Sequence, residues 1–185
     1  MSKIRLTHSA RNVVLVGHMG SGKTSIGKKL SKKIEFKFID TDEEIEKKIK
    51  MTISEFFINN SERKFRNLEE KIVKSILSKN TKSIIAFGGG AFENKKIRSI
   101  TLDQHFSVWL KCNLNTLAIR CGNRNQRPLL NNKNIKSELK NLDKKRKKNY
   151  MKSNLIIDVS KKTKNIIATE IIGKLDQYEK KSIKN

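Results

Sequence analysis

Asn12-Val13-Val14-Leu15-Val16-Gly17-His18-Met19-Gly20-Ser21-Gly22-Lys23-Thr24 runs from an apolar, β-branched stretch into a glycine-rich turn closed by Lys and Thr. The Asn12–Val16 run suits a strand buried on both faces. Residues 17–24 satisfy G-x-x-x-x-G-K-S/T, the phosphate loop, with a strand before and a helix after as that motif requires. Its glycines let backbone N–H groups approach phosphates where a side chain would block them. The N-terminus of the following helix adds partial positive charge toward the anion. Lys23 can reach the β- and γ-phosphates, and the Thr24 hydroxyl can bind Mg²⁺. His18 falls on a variable position and reads as a spacer, not a base. The motif implies binding of ATP or GTP and leaves the acceptor open.

Outward from this stretch, short apolar runs alternate with longer amphipathic ones, which predicts βαβ units and a parallel sheet. Further strands are expected at Phe36–Ile39, Ser83–Phe87, Phe106–Leu110 and Leu155–Val159. Helices are expected at Lys23–Lys33, Asp42–Lys50, Ser54–Lys79, Asn113–Cys121, Ile135–Lys152 and Asn165–Tyr178. Residues 122–134 are polar, Asn-rich and hold the single Pro, so they read as a mobile loop. Lys180–Asn185 reads as a frayed tail.

A chain of 185 residues fits one domain, here 1–185. No run is long and apolar enough for a membrane span, and the N-terminus lacks the apolar centre of a secretory signal. Cys112 and Cys121 sit nine apart, without metal-site spacing, and read as reduced thiols of a cytosolic protein. The net charge of +24 invites a nucleic-acid reading. Against it, the Lys residues are spread along helix-like faces and few aromatics interleave with them. The charge reads as a background of Lys, Asn and Ile used throughout the chain, a general positive field toward anionic substrates is the reading ahead of nucleic-acid binding, and no specific nucleic-acid partner is expected.

Several residues are candidates for the acceptor side. Asp40 and Asp42 lie at the C-terminal end of the second strand, the end that faces the ligand crevice in open α/β sheets. Alternation along a strand lets them converge. One could hold Mg²⁺ through water and the other an acceptor hydroxyl, or Asp42 could cap the helix after it. Arg66 could clamp a carboxylate or lie on a solvated helix face. Gly88-Gly89-Gly90 directly follows a strand and implies close backbone approach to a ligand. Arg127 lies in the mobile loop. Arg146 cannot be told by charge alone from its basic neighbours.

Taken together, these segments resemble the shikimate kinases. The matching residues are 17–24, Asp40-Thr41-Asp42, Phe65-Arg66 with Glu69, Gly88-Gly89-Gly90, Arg127-Pro128-Leu129-Leu130, and Arg146 with Tyr150, in the family's order from residue 12 to about 175. Ser61 stands where the family usually has Gly, and the stretch after Tyr150 is about one residue short. The resemblance implies a three-layer α/β/α fold with a five-stranded parallel sheet in order 2-3-1-4-5, an acceptor-binding helical segment at about 41–70 and a lid at about 122–134. It implies transfer of the γ-phosphoryl group of ATP to the 3-hydroxyl of shikimate, in the route to chorismate. ATP would meet Gly17, Gly20, Ser21, Gly22, Lys23, Thr24, Ser25, Arg120, Arg127 and Lys162. Shikimate would meet Asp42, Arg66, Gly88, Gly89, Gly90 and Arg146. One Mg²⁺ would be held by Thr24, with Asp40 behind it through water, and Lys23, Asp42 and Arg127 would be catalytic. A cytoplasmic monomer is expected. A kinase for gluconate or a nucleoside monophosphate is the alternative, because its phosphate loop would look the same.

Overall fold

The computed structural model describes residues 12–79, 81–122 and 135–182. Strands β1 (Val13–Val16), β2 (Lys37–Asp40), β3 (Ser83–Ala86), β4 (Phe106–Lys111) and β5 (Leu155–Asp158) form a parallel sheet in order β2-β3-β1-β4-β5. This is the expected order. β1 takes the centre because Val13–Val16 are apolar on both faces, and each is at most 1% exposed. Edge strands β2 and β5 alternate or mix polar residues and are only partly buried. Val13 of β1 sits opposite both Ile84 of β3 and Phe106 of β4, so the C-terminal ends of these strands share one rim.

Among the described residues seven helices connect the strands, α1 (Lys23–Ile34), α2 (Thr41–Ile49), α3 (Ile53–Asn59), α4 (Glu62–Leu77), α5 (Lys95–Gln104), α6 (Leu114–Gly122) and α7 (Ile135–Tyr150), and an eighth, α8 (Lys164–Ser182), follows β5. A 3-10 turn spans Ala91–Glu93. Ile26 and Leu30 of α1 and Ile167 and Ile171 of α8 pack on one face of the sheet. Val73, Ile76 and Ile97, from α4 and α5, pack on the other with Tyr150. Each helical stripe recurs at three- or four-residue steps, as a 3.6-residue period demands.

Three expectations change. The single helix expected over Ser54–Lys79 is two, because Asn60 and Ser61 adopt extended backbone. Ser61 then caps α4, its hydroxyl accepting from the Lys64 N–H at 3.4 Å, so the departure from Gly here supplies an N-cap. α5 has no counterpart among the expected helices; Asn94 caps it by accepting from the Lys96 and Ile97 N–H groups. α8 continues through Ser182, into the stretch read as a frayed tail. The expected lid and Arg127 lie outside the described residues. No described helix is long and apolar enough to cross a membrane.

Candidate active site

A cleft of about 1100 Å³ opens along the C-terminal rim of the sheet. That volume suits two small substrates side by side. The phosphate loop forms one wall. Gly20 (φ 78°) and Gly22 (φ 95°) take left-handed backbone that L side chains rarely adopt. Gly22 is the N-cap of α1, so the helix starts at Lys23 and points its N-terminus into the cleft. The Lys23 ammonium donates to the carbonyls of Gly17 and His18 at 2.8 and 3.0 Å. The Ser25 hydroxyl donates to the Gly22 carbonyl at 3.1 Å. Ser21 lies in the same wall and is buried.

The Thr24 hydroxyl donates to Asp40 Oδ2 at 2.7 Å. With its proton spent on Asp40, the Thr24 oxygen keeps lone pairs for a cation. Hydroxyl and carboxylate oxygens suit a hard ion such as Mg²⁺, which takes few protein ligands and shares the rest with water and phosphate.

Asp40 and Asp42 do converge on the cleft, but not by strand alternation. Asp40 is the last residue of β2 and the N-cap of α2, with its Oδ1 accepting from the Asp42 N–H at 3.1 Å. Asp42 therefore lies inside the helix and is not the cap. Burial, followed by the nearby Asp40 charge, pushes the Asp42 carboxyl up to about 7.

The three glycines after β3 have one geometric explanation each. A Cβ on Gly88 would collide with the Asp42 carboxylate. On Gly89 it would come within 3.3 Å of Arg146 Nη1. On Gly90 it would come within 2.6 Å of Arg66 Nη1. The triplet thus clears room for an acid and two guanidiniums drawn from α2, α7 and α4. It is held in place by the Gly88 N–H donating to Thr41 Oγ1 at 2.8 Å and by the Tyr150 hydroxyl donating to the Gly89 carbonyl at 2.7 Å.

Arg66 faces the cleft and is not on a solvated helix face. Its Nε and Nη2 donate to Glu62 Oε1 at 3.2 and 3.1 Å, and its Nη1 donates to Glu69 Oε2 at 2.8 Å. Three of five N–H donors are thereby used and two remain. Arg146 also lines the cleft; it is 7% exposed, and its Nη1 is buried without a hydrogen-bond partner. On charge the sequence could not separate it from Lys145 or Lys147. Burial does, because the inner stripe of α7 is Leu139, Arg146 and Tyr150.

At the other end, Arg120 reaches the Gly20 carbonyl at 3.4 Å and the Cys112 sulfur at 3.6 Å. Lys162 lines the cleft and pairs with Glu170 at 2.5 Å. Neither Cys112 nor Cys121 forms a disulfide. Gly17 and Gly88 do not line the cleft themselves. Sequence reasoning missed the apolar wall made by Phe57 with Phe65, whose rings lie 4.9 Å apart. It also read His18 as a spacer; the ring is buried, and its Nε2 sits 2.9 Å from Asp143 Oδ1, 125 residues away in the chain. No local signal in the sequence marks that contact.

The family model described as shikimate kinase matches residues 19–176. A shikimate kinase of Bartonella henselae is 39% identical over 168 residues, covering 91% of this chain and 80% of that one. A shikimate kinase of Persephonella marina is 37% identical, covering 89% of this chain and 99% of its own length. The structure of shikimate kinase from Acinetobacter baumannii in complex with shikimate superposes with a TM-score of 0.84 at 29% identity, covering 89% of this chain and 92% of that one. The family match runs through both walls of the cleft, from the phosphate loop to the segment after Tyr150, and the chain belongs to the shikimate kinase family.

Proposed function

We propose that this enzyme transfers the γ-phosphoryl group of ATP to the 3-hydroxyl of shikimate, with the residue roles that follow. The carrying observation is the glycine triplet, which opens space for Asp42, Arg146 and Arg66 in the same cleft as Lys23. Shikimate offers one carboxylate and three hydroxyls. The two spare N–H donors of Arg66 and the unpartnered Nη1 of Arg146 suit the carboxylate. Asp42 accepts from ring hydroxyls, and the Phe57–Phe65 wall receives the ring's apolar face.

ATP lies along the phosphate loop, with Gly20, Ser21, Gly22 and Ser25 supplying close backbone and hydroxyl contacts and Gly17 behind them, where it lets the loop pack against the Leu110 carbonyl. Arg120 and Lys162 flank the far end, where the adenine fits. Lys23 exchanges its carbonyl partners for phosphate oxygens. Thr24, with Asp40 behind it through water, would hold Mg²⁺, which would supply charge neutralisation at the transferring phosphoryl group. Arg127 is assigned to the phosphates by the family motif, as closure of 122–134 over the site is. The acceptor oxygen forms a bond to phosphorus as the bond to the ADP oxygen breaks. The hydroxyl proton passes late to Asp42, whose raised affinity for a proton equips it for that task near neutral pH. Most of the acceleration comes from positioning two reactants in line. A monomer in the cytoplasm completes the reading.

Product analysis tests it. Incubation with ATP, Mg²⁺ and shikimate should give one new phosphomonoester whose phosphorus couples to the proton on carbon 3. Phosphate on a different hydroxyl, or preferential phosphorylation of gluconate or a nucleoside monophosphate, would contradict it.

A further inference from the structure

The geometry points to His18 and Asp143 as a positioning pair that fastens α7 to the phosphate loop and thereby sets the pose of Arg146. His18 is 3% exposed and does not line the cleft, so it does not act on substrate directly. Its Nε2 lies 2.9 Å from Asp143 Oδ1. An ionised carboxylate only accepts, so Nε2 carries the proton and donates. His18 Nδ1 is buried without a hydrogen-bond partner, which leaves it the unprotonated nitrogen of a neutral ring. Burial keeps the imidazole below its ordinary protonation range, with Arg146 and Lys23 opposing a further positive charge. The ring also meets Tyr150 edge-on at 5.2 Å.

Asp143, Arg146 and Tyr150 are spaced three and four apart, so they share one face of α7. Among the described residues, three side-chain hydrogen bonds tie that helix down at this end. Asp143 goes to His18, Tyr150 to the Gly89 carbonyl at 2.7 Å, and Asn149 Nδ2 to Glu93 Oε2 at 2.9 Å. The first is the bond nearest the start of the helix and the one that reaches the phosphate loop. The loop itself is held independently, by its short span between β1 and α1 and by the Ser21 N–H, which donates to the His18 carbonyl at 3.2 Å. When the pair is broken, α7 is therefore the partner that shifts, and the effect falls on the acceptor.

This inference rests on the proposed role of Arg146 in binding shikimate. KM values for shikimate and for ATP, with kcat and thermal midpoints, should be measured for Asp143→Ala, His18→Leu, His18→Gln, the Asp143→Ala/His18→Leu double variant and Arg146→Ala. The expected result is a rise of about tenfold in KM for shikimate in Asp143→Ala and in His18→Leu, the range of coupling for residues in contact. KM for ATP should stay within about twofold, because the loop keeps its own bonds. The double variant should be no worse than the weaker single one. His18→Gln should restore wild-type behaviour, since an amide N–H can still donate to Asp143. An unchanged KM for shikimate in Asp143→Ala, or equal rises for both substrates, would overturn the pair. A fall in thermal midpoint alone would make it merely structural. If Asp143→Ala does not fold, His18→Leu tests the same contact from the loop side. If Arg146→Ala leaves KM for shikimate unchanged, the role of Arg146 fails and the inference with it; if Arg146→Ala raises it and Asp143→Ala does not, only the pair fails.

Discussion

Asp42 is a half-buried carboxyl in the desolvating wall of the cleft with another carboxylate, Asp40, beside it, and both facts favour its protonated form. Its proton affinity, pushed up to about 7, gives a testable pH dependence. As a base it must be ionised, so kcat/KM for shikimate should rise with pH through a limb near 7. Asp42→Asn should remove that limb and lower kcat by roughly a hundred- to ten-thousandfold. Stability carries the opposite sign. The folded state holds the proton more tightly than the unfolded chain, so stability falls as pH rises from the ordinary carboxylate range to about 7. Asp42→Asn should therefore flatten the slope of thermal midpoint against pH across that window; an unaltered slope would remove the assignment. Arg66 and Glu69 form a second residue-level case. Glu69 is 2% exposed and bonded to Arg66, so Arg66→Ala leaves a buried carboxylate unpaired at a cost of about 1–3 kcal/mol. Arg66→Ala should weaken shikimate binding and lower stability together. Adding Glu69→Gln should recover stability but not binding, and recovery of both would show that Arg66 is only a structural partner.

Among the elements, the segment 88–90 is the one whose composition is explained atom by atom. Gly88 collides with Asp42 on addition of a Cβ, Gly90 approaches the end of the Arg66 side chain, and Gly89 only grazes Arg146. Alanine substitutions should raise KM for shikimate in the order Gly88, Gly90, Gly89; a flat response across the three would detach the triplet from the acceptor. The sequence made this segment legible as a close-approach site because three glycines at a strand end leave few other readings. β1, the phosphate loop and α1 were equally legible, being one contiguous pattern. The division of α3 from α4 was not, since Asn60-Ser61 interrupts an otherwise helical composition and the decisive signal is one capping hydroxyl. α5 was overlooked because its buried face is narrow, Ile97 and Thr101. The capping role fell to Asp40 and not Asp42 because the strand hands directly over to the helix. Arg146 and His18 depended on contacts between distant parts of the chain, which no local periodicity encodes.

Across the whole molecule, parallel strands bring the described functional segments to one rim, with Asp40 ending β2 and Gly89 following β3 on one side of β1 and Arg120, Arg146 and Lys162 following β4 and β5 on the other. A net charge of +24 gives the molecule a positive field that favours the approach of anionic substrates. Raising ionic strength well above about 0.1 M, where the screening length is about 10 Å, should lower kcat/KM while leaving kcat nearly unchanged. An equal fall in both would place the salt effect on chemistry and not on capture. The central claim concerns the acceptor, and the coupled measurement of ADP release with ATP and Mg²⁺ tests it most directly. Release should be slow without acceptor, accelerate on addition of shikimate, and stay at the basal rate with gluconate or nucleoside monophosphates. A folded enzyme that ignores shikimate and responds to one of the others would contradict the account.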